Sequence, residues 1–343
     1  MGSKIDRNEL FMILSQKFNL TNALTINDSN LSCYEINSIC IFKAFNGIYY
    51  LIYTTNNFSI ISYNLNQKQK ICEIKNPHTS NIFEFHHCFD INHKRDLLLS
   101  LSITPYTIKI WNIINFECLL NIENKNMYGN SSCFLNDYNN NIFIITNNGW
   151  NKNEKIKIIN LDGNIVKEIN DSDKYRSNLV DIYYDRKLSN IYIISSNDNC
   201  IISYNYSENI KYHKYSYEKS ISSNKIDIYD KEKTIQLIGA GNDGRIRIWN
   251  FHSGKLLYNI KICDKYKYIN DFCFYKDNLI VGCDDADRTR VINIKYGVTI
   301  VKNFISKDYN ASFVKIISYN NKEYLISCDK GSNKAINIWI INS

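Results

Sequence analysis

An all-β fold of seven repeated four-stranded units closed into a ring is predicted by three observations in this 343-residue sequence. An aromatic or β-branched residue closes an alternating apolar run at positions 63, 111, 159, 204, 249, 292 and 339. The intervals are 48, 48, 45, 45, 43 and 47 residues, the signature of a supersecondary unit copied until its apolar faces cover one another. Turn signals recur at intervals of roughly 8–12 residues with almost no helical periodicity.

Along the chain, residues 1–36 precede the first unit and hold two extended stretches, Leu10 to Leu14 and Ala23 to Asn27. Residues 37–343 hold the units, in one domain. The anchors are Tyr63 in Ile60-Ile61-Ser62-Tyr63-Asn64, Trp111 in Ile108-Lys109-Ile110-Trp111-Asn112, and Ile159 in Ile156-Lys157-Ile158-Ile159-Asn160. Tyr204, Trp249, Ile292 and Trp339 follow in equivalent runs, and Asn comes after every anchor except the last. In the fifth unit four strands read as Lys225 to Tyr229, Thr234 to Ala240, Arg245 to Trp249 and Lys255 to Ile262, with Asn242-Asp243-Gly244 as a tight turn. Four short antiparallel strands per unit specify the blade of a β-propeller. The seventh unit stops at Ser343 after its third strand, so residues 1–36 are expected to supply the missing outer strand and close the ring.

The stretch Gly239-Ala240-Gly241-Asn242-Asp243-Gly244-Arg245-Ile246-Arg247-Ile248-Trp249-Asn250 resembles the WD40 repeat, with Asn in place of the terminal Asp, and His78-Thr79-Ser80-Asn81-Ile82 resembles its opening segment. The resemblance spans the chain and is strongest in the second, fifth and seventh units. It implies a seven-bladed propeller and, in a blade, hydrogen bonding among a His, a Ser or Thr, a turn Asp and the Trp. The second unit offers His78, Ser100 or Ser102, and Trp111, and the fifth offers Asp243 and Trp249.

Apolar residues make up 44% and charged residues 22%, which excludes a disordered chain, and no apolar run reaches the length of a membrane helix. The net charge of +7 is spread without blocks, which argues against a dense nucleic-acid footprint. Eleven cysteines are scattered singly, as expected of thiols in a reducing compartment, so a cytoplasmic or nuclear location is expected.

No catalytic, cofactor or metal site is expected. Phosphate-loop, HExxH and GxSxG patterns are absent. His86 and His87 are adjacent on a strand and point to opposite faces, so with Cys88 and His93 they read as ordinary strand residues. Asp284, Asp285 and Asp287 lack the order of a calcium loop. The remaining chemistry lies in the loops. Five of six linkers between units hold both lysine and tyrosine: Lys125 and Tyr128, Lys174 and Tyr175, Lys214 and Tyr215, Lys265 and Tyr266, Lys307 and Tyr309. Trp150 lies in the loop Asn147-Asn148-Gly149-Trp150. With Tyr106, Tyr128 and Tyr175, and with Lys174 and Arg176 beside them, it is expected to form an aromatic patch that receives an acidic peptide or loop. A non-catalytic scaffold, monomeric within a larger protein complex, is therefore expected. The alternatives are an RNA-binding subunit and, behind it, a propeller hydrolase.

Overall fold

The computed structural model describes residues 19–27, 39–124, 131–147, 155–169, 177–197, 199–217, 223–231, 234–263, 269–283, 289–293, 298–302, 311–329 and 335–342. They form a β-propeller of four-stranded antiparallel sheets. Sheet 1 holds β2 (Ile39–Lys43), β3 (Tyr49–Thr54), β4 (Ile60–Asn64) and β5 (Gln69–Ile74). Sheet 2 holds β6 (Ile82–Asp90), β7 (Arg95–Ile103), β8 (Tyr106–Asn112) and β9 (Cys118–Asn124). Sheet 3 holds β10 (Ser132–Asn136), β11 (Ile142–Thr146), β12 (Ile156–Asn160) and β13 (Ile165–Ile169). Sheet 4 holds β14 (Ser177–Asp185), β15 (Asn190–Asn197), β16 (Cys200–Asn205) and β17 (Ile210–Ser216). Sheet 5 holds β18 (Ser223–Lys231), β19 (Thr234–Gly241), β20 (Arg245–Asn250) and β21 (Leu256–Lys261). Sheet 6 holds β22 (Ile269–Tyr275), β23 (Asn278–Cys283), β24 (Thr289–Asn293) and β25 (Val298–Lys302). Sheet 7 holds β26 (Ala311–Tyr319), β27 (Lys322–Asp329), β28 (Ala335–Asn342) and β1 (Asn19–Asn27), which pairs antiparallel with β28.

All seven anchors lie on the third strand of a sheet, opposite Leu51, Leu98, Ile144, Ile193, Leu237, Leu279 and Leu325 on the second. In sheets 1 to 5 a bulge falls at the anchor where the third strand meets the fourth, as between Ile110 and Trp111. Sheet 7 repeats it, since the irregularity between Asn22 and Leu24 in β1 sits opposite Trp339 and Ile338. The shared bulge makes β1 the geometric equivalent of an outer strand, although β1 comes from the other end of the chain.

The Asn after each of the first five anchors has a mechanical role. Its Oδ1 accepts the backbone N–H two to four residues ahead: Asn64 from Asn66 at 2.9 Å, Asn112 from Ile114 at 3.0 Å, Asn160 from Asn164 at 2.8 Å, Asn205 from Ser207 at 3.0 Å and Asn250 from Ser253 at 2.8 Å. These caps set the hairpin between third and fourth strands. An amide oxygen serves as well as a carboxylate, which accounts for Asn where the resemblance would place Asp.

Each gap between neighbouring sheets holds its own apolar core. Trp111 packs with Cys40, Phe42 and Ile60 of the sheet before it, and Trp249 with Tyr192, Ile194 and Ile201. The last gap is filled by Phe313, Ile326 and Ile336 of sheet 7 against Ile39, Leu51 and Ile61 of sheet 1, with Leu24 and Ile26 of β1 packed alongside. A sheet with an apolar face on both sides has no solvent-stable form alone, so the cores hold the ring together as a unit.

The hydrogen bonds that the resemblance implies are partly present. In sheet 2, Ser100 Oγ accepts from Trp111 Nε1 at 2.8 Å and pairs with His78 Nε2 at 2.7 Å. Burial and the nearby Lys109 push the His78 imidazole down to about 3, so it is neutral. Trp339 Nε1 donates to Ser327 Oγ at 3.0 Å in sheet 7. Asp243 does not join such a group: its carboxylate binds Arg247 through two hydrogen bonds of 3.2 and 2.6 Å.

Candidate functional site

The first strands of sheets 1, 2, 4, 5, 6 and 7 line the cavity at the centre of the ring. Each has a strand neighbour on one side only, so a row of its peptide groups lacks a ladder partner. Side chains of the preceding sheet supply partners. Glu84 Oε2 accepts the Ser132 N–H at 2.8 Å, Ser131 Oγ accepts the Val180 N–H at 3.3 Å, and Asp271 Oδ2 accepts the Val314 N–H at 3.0 Å. Lys225 Nζ stands 3.9 Å from Asp271 Oδ1. These links run from sheet to sheet around the channel.

The channel encloses a cavity of about 540 Å³, with Glu84, His86, Asp181, Lys225, Asp227, Asp271 and Lys315 among its lining. Register places seven residues at one equivalent position: Cys40, His86, Cys133, Asp181, Asp227, Cys273 and Lys315. Each sits opposite the residue after the one that faces the anchor; six of them line the cavity as one layer, whereas Cys133 packs in the core between sheets 3 and 4.

Electrostatics within this layer are uneven. Burial and the neighbouring Asp227 carboxylate push the Asp181 carboxyl up to about 6. Burial also raises Asp227 and Asp271, against the pull of Lys225. Burial opposes the charge of Lys225, but Asp271, Asp227 and Asp181 outweigh it and hold the ammonium charged above its usual range. Asp181 Oδ1 accepts the Ile182 N–H at 2.8 Å and Asp227 Oδ1 the Ile228 N–H at 2.7 Å, which leaves the second oxygen of each without a hydrogen bond among the described residues. His86 Nε2 is 3.1 Å from Glu84 Oε1 without hydrogen-bond geometry. Burial pushes the Cys40 thiol up to about 11 and those of Cys133 and Cys273 well above their ordinary value, so all three are neutral and poor nucleophiles. Among the described residues no group of three or more His, Cys, Asp and Glu side chains is arranged to hold a metal ion, and no helix is long and apolar enough to cross a membrane.

The loop residues chosen from sequence fare differently. Trp150, Tyr128, Lys174, Tyr175, Arg176, Lys265 and Tyr266 lie outside the described residues, as do Asp284, Asp285 and Asp287. Tyr106 is a correction. It begins β8 instead of standing in a loop, is 2% exposed, and its hydroxyl bonds Thr146 Oγ1 of the next sheet. Tyr215 is likewise buried, with its hydroxyl on the Phe251 carbonyl at 2.6 Å. His86 and His87 separate as strand alternation requires, His86 Nε2 lying 3.1 Å from Glu84 Oε1 and His87 Nε2 pairing with Asp96 at 2.8 Å and stacking on Phe42, while His93 in the β6–β7 turn pairs through Nδ1 with Asp90 at 2.8 Å.

No family model matches the chain, and no curated protein matches its sequence. Among solved structures, a chain from the crystal structure of BBS1N in complex with ARL6DN, soaked with lead, superposes with a TM-score of 0.72 at 12% identity. The match covers 94% of this chain and 97% of that one. At this identity the likeness concerns the fold alone.

Proposed function

We propose that the chain is a seven-bladed, WD40-like propeller, closed by its N-terminal strand, that works as a non-catalytic scaffold for other proteins in the cytoplasm or nucleus. The observation that carries the reading is the use of the channel's polar groups: Glu84, Ser131, Lys225 and Asp271 join sheet to sheet and are spent on the ring itself. On this reading recognition falls to loops on the outer surface, while Asp181, Asp227 and Lys315 keep the channel polar. A similarly folded chain solved in complex with a second protein supports this reading by analogy.

On this reading Trp150, Tyr128, Tyr175, Lys174, Arg176, Lys265 and Tyr266 contribute to a partner-binding rim. Affinity capture of the full chain with mass spectrometry is the test. Reproducible protein partners that are lost from Trp150→Ala are the expected result. Capture of RNA alone, with binding that falls steeply between 50 and 300 mM salt, would replace the reading with nucleic-acid binding.

A further inference from the structure

Most charges on the channel wall have partners within the ring, and three do not. Glu84 accepts from Ser131 Oγ at 3.2 Å and from the Ser132 N–H at 2.8 Å, with His86 Nε2 3.1 Å away, and Lys225 faces Asp271 at 3.9 Å. Asp181 and Asp227 stand on the neighbouring sheets 4 and 5. Each spends one carboxylate oxygen on the N–H of the next residue and leaves the other without a hydrogen bond or ion pair among the described residues. Lys315, on sheet 7, is exposed and has no acid within ion-pair distance among the described residues. All three line the cavity of about 540 Å³. They are segregated by sign, since the base stands two sheets beyond Asp227, past the neutral Cys273 thiol. The wall also carries apolar side chains, among them Leu179, Phe274 and Ile316.

The size suits a small molecule, since pockets of about 300–1,000 Å³ whose apolar surface is interrupted by a few placed polar groups are the usual form of such sites. A metal ion does not fit: among the described residues no third His, Cys, Asp or Glu joins the two acids in an arrangement that holds one. An organic cation alone would satisfy the acids and set its charge against Lys315. An anion alone would satisfy Lys315 and face two carboxylates. A molecule that carries both signs meets all three. We propose that the channel binds a small zwitterion of the amino-acid class, its ammonium on Asp181 and Asp227, its carboxylate on Lys315 and its hydrocarbon part over the apolar wall. Each polar contact is a charge-assisted hydrogen bond inside a cavity, where it is stronger than its counterpart on an open surface. The groups ride on paired strands, so little ordering cost falls on the propeller. The site adds to the scaffold reading and does not depend on it, because rim loops can hold a protein whether or not the channel is filled.

The test is isothermal titration calorimetry of the full chain with glycine, leucine, 4-aminobutanoate and 6-aminohexanoate, and with hexylamine and hexanoate as controls that carry one charge each. At least one zwitterion should bind saturably, at least tenfold more tightly than either control. Lys315→Met should weaken that zwitterion about tenfold or more while leaving hexylamine binding unchanged or tighter, and Asp227→Asn should weaken both, neither change lowering the melting temperature. Lys315→Arg keeps the charge and should retain binding within about threefold, which separates loss of the contact from loss of the fold. Absence of saturable binding by all the zwitterions overturns the proposal. Hexylamine binding as tightly as the best zwitterion overturns it in favour of a simple cation site. Binding untouched by Lys315→Met and by Asp227→Asn places the ligand elsewhere and overturns it as well. Each of these failures leaves the scaffold reading standing, because that reading is tested separately by affinity capture with Trp150→Ala.

Discussion

Replacing Asp181 by Asn should stabilise the protein at neutral pH and leave it unchanged in acid. The carboxyl titrates at about 6 in the folded ring against a reference value of 3.8, because burial and Asp227 both disfavour its charge. As pH rises through this window the native state holds a proton that the unfolded chain has released, so stability falls. About two pH units correspond to roughly 3 kcal/mol, which solvent in the channel reduces to ~2 kcal/mol. Asn keeps an acceptor for the Ile182 N–H and never acquires the charge. For a chain of this length ~2 kcal/mol is a melting shift of about 3 °C. Calorimetric melting of both proteins from pH 4 to 8 should give curves that coincide near pH 4 and separate by pH 7, with the variant higher. Asp227→Asn should lower the Asp181 titration point, so the double variant should gain less than the sum of the two. A variant no more stable than wild type at pH 7.5, or a gap independent of pH, refutes the reasoning.

Ser100→Ala removes the acceptor for Trp111 Nε1 and the partner of His78 inside a buried site, and should cost about 1–3 kcal/mol in chemical denaturation. Gly244→Ala should cost a similar ~1–3 kcal/mol, because the residue sits at φ +73 and a Cβ there would meet Cys263 O and Sγ at 2.8 Å; an unchanged denaturation midpoint would contradict the turn geometry. Removal of residues 1–30 strips the partner of β28 together with Leu20, Leu24 and Ile26, and should lower stability by roughly 3–5 kcal/mol. A truncated chain with unaltered melting would show that β1 is dispensable.

The repeat was legible because its markers do local work. Trp111 and Trp249 fill a gap between sheets, and Asn112 and Asn250 cap the following hairpin, so a large apolar residue followed by Asn recurs at one place in most units. Strand limits in sheet 5 fell within two residues of the pattern reading, since Asn242-Asp243-Gly244 and the alternation on either side leave little choice of register. The central layer was invisible for the opposite reason. Cys40, His86, Cys133, Asp181, Asp227, Cys273 and Lys315 stand between 19 and 26 residues before their anchors, because turn lengths differ, and they share no chemistry. Only the pairing register shows that they are one position. Tyr106 misled because it was placed in a loop, whereas β8 starts at this residue and its side chain is buried.

The pairing of β1 with β28 also constrains how the molecule is made. Thr25 Oγ1 donates to Asn337 Oδ1 across 312 positions of sequence, the first described strand meeting the last. At ~5–20 residues per second a ribosome takes about 15–60 s to travel that distance, and throughout this time the N-terminal strand has no mate. β28 must be made before β1 can pair with it, so a growing chain carries an unpaired strand edge for that interval.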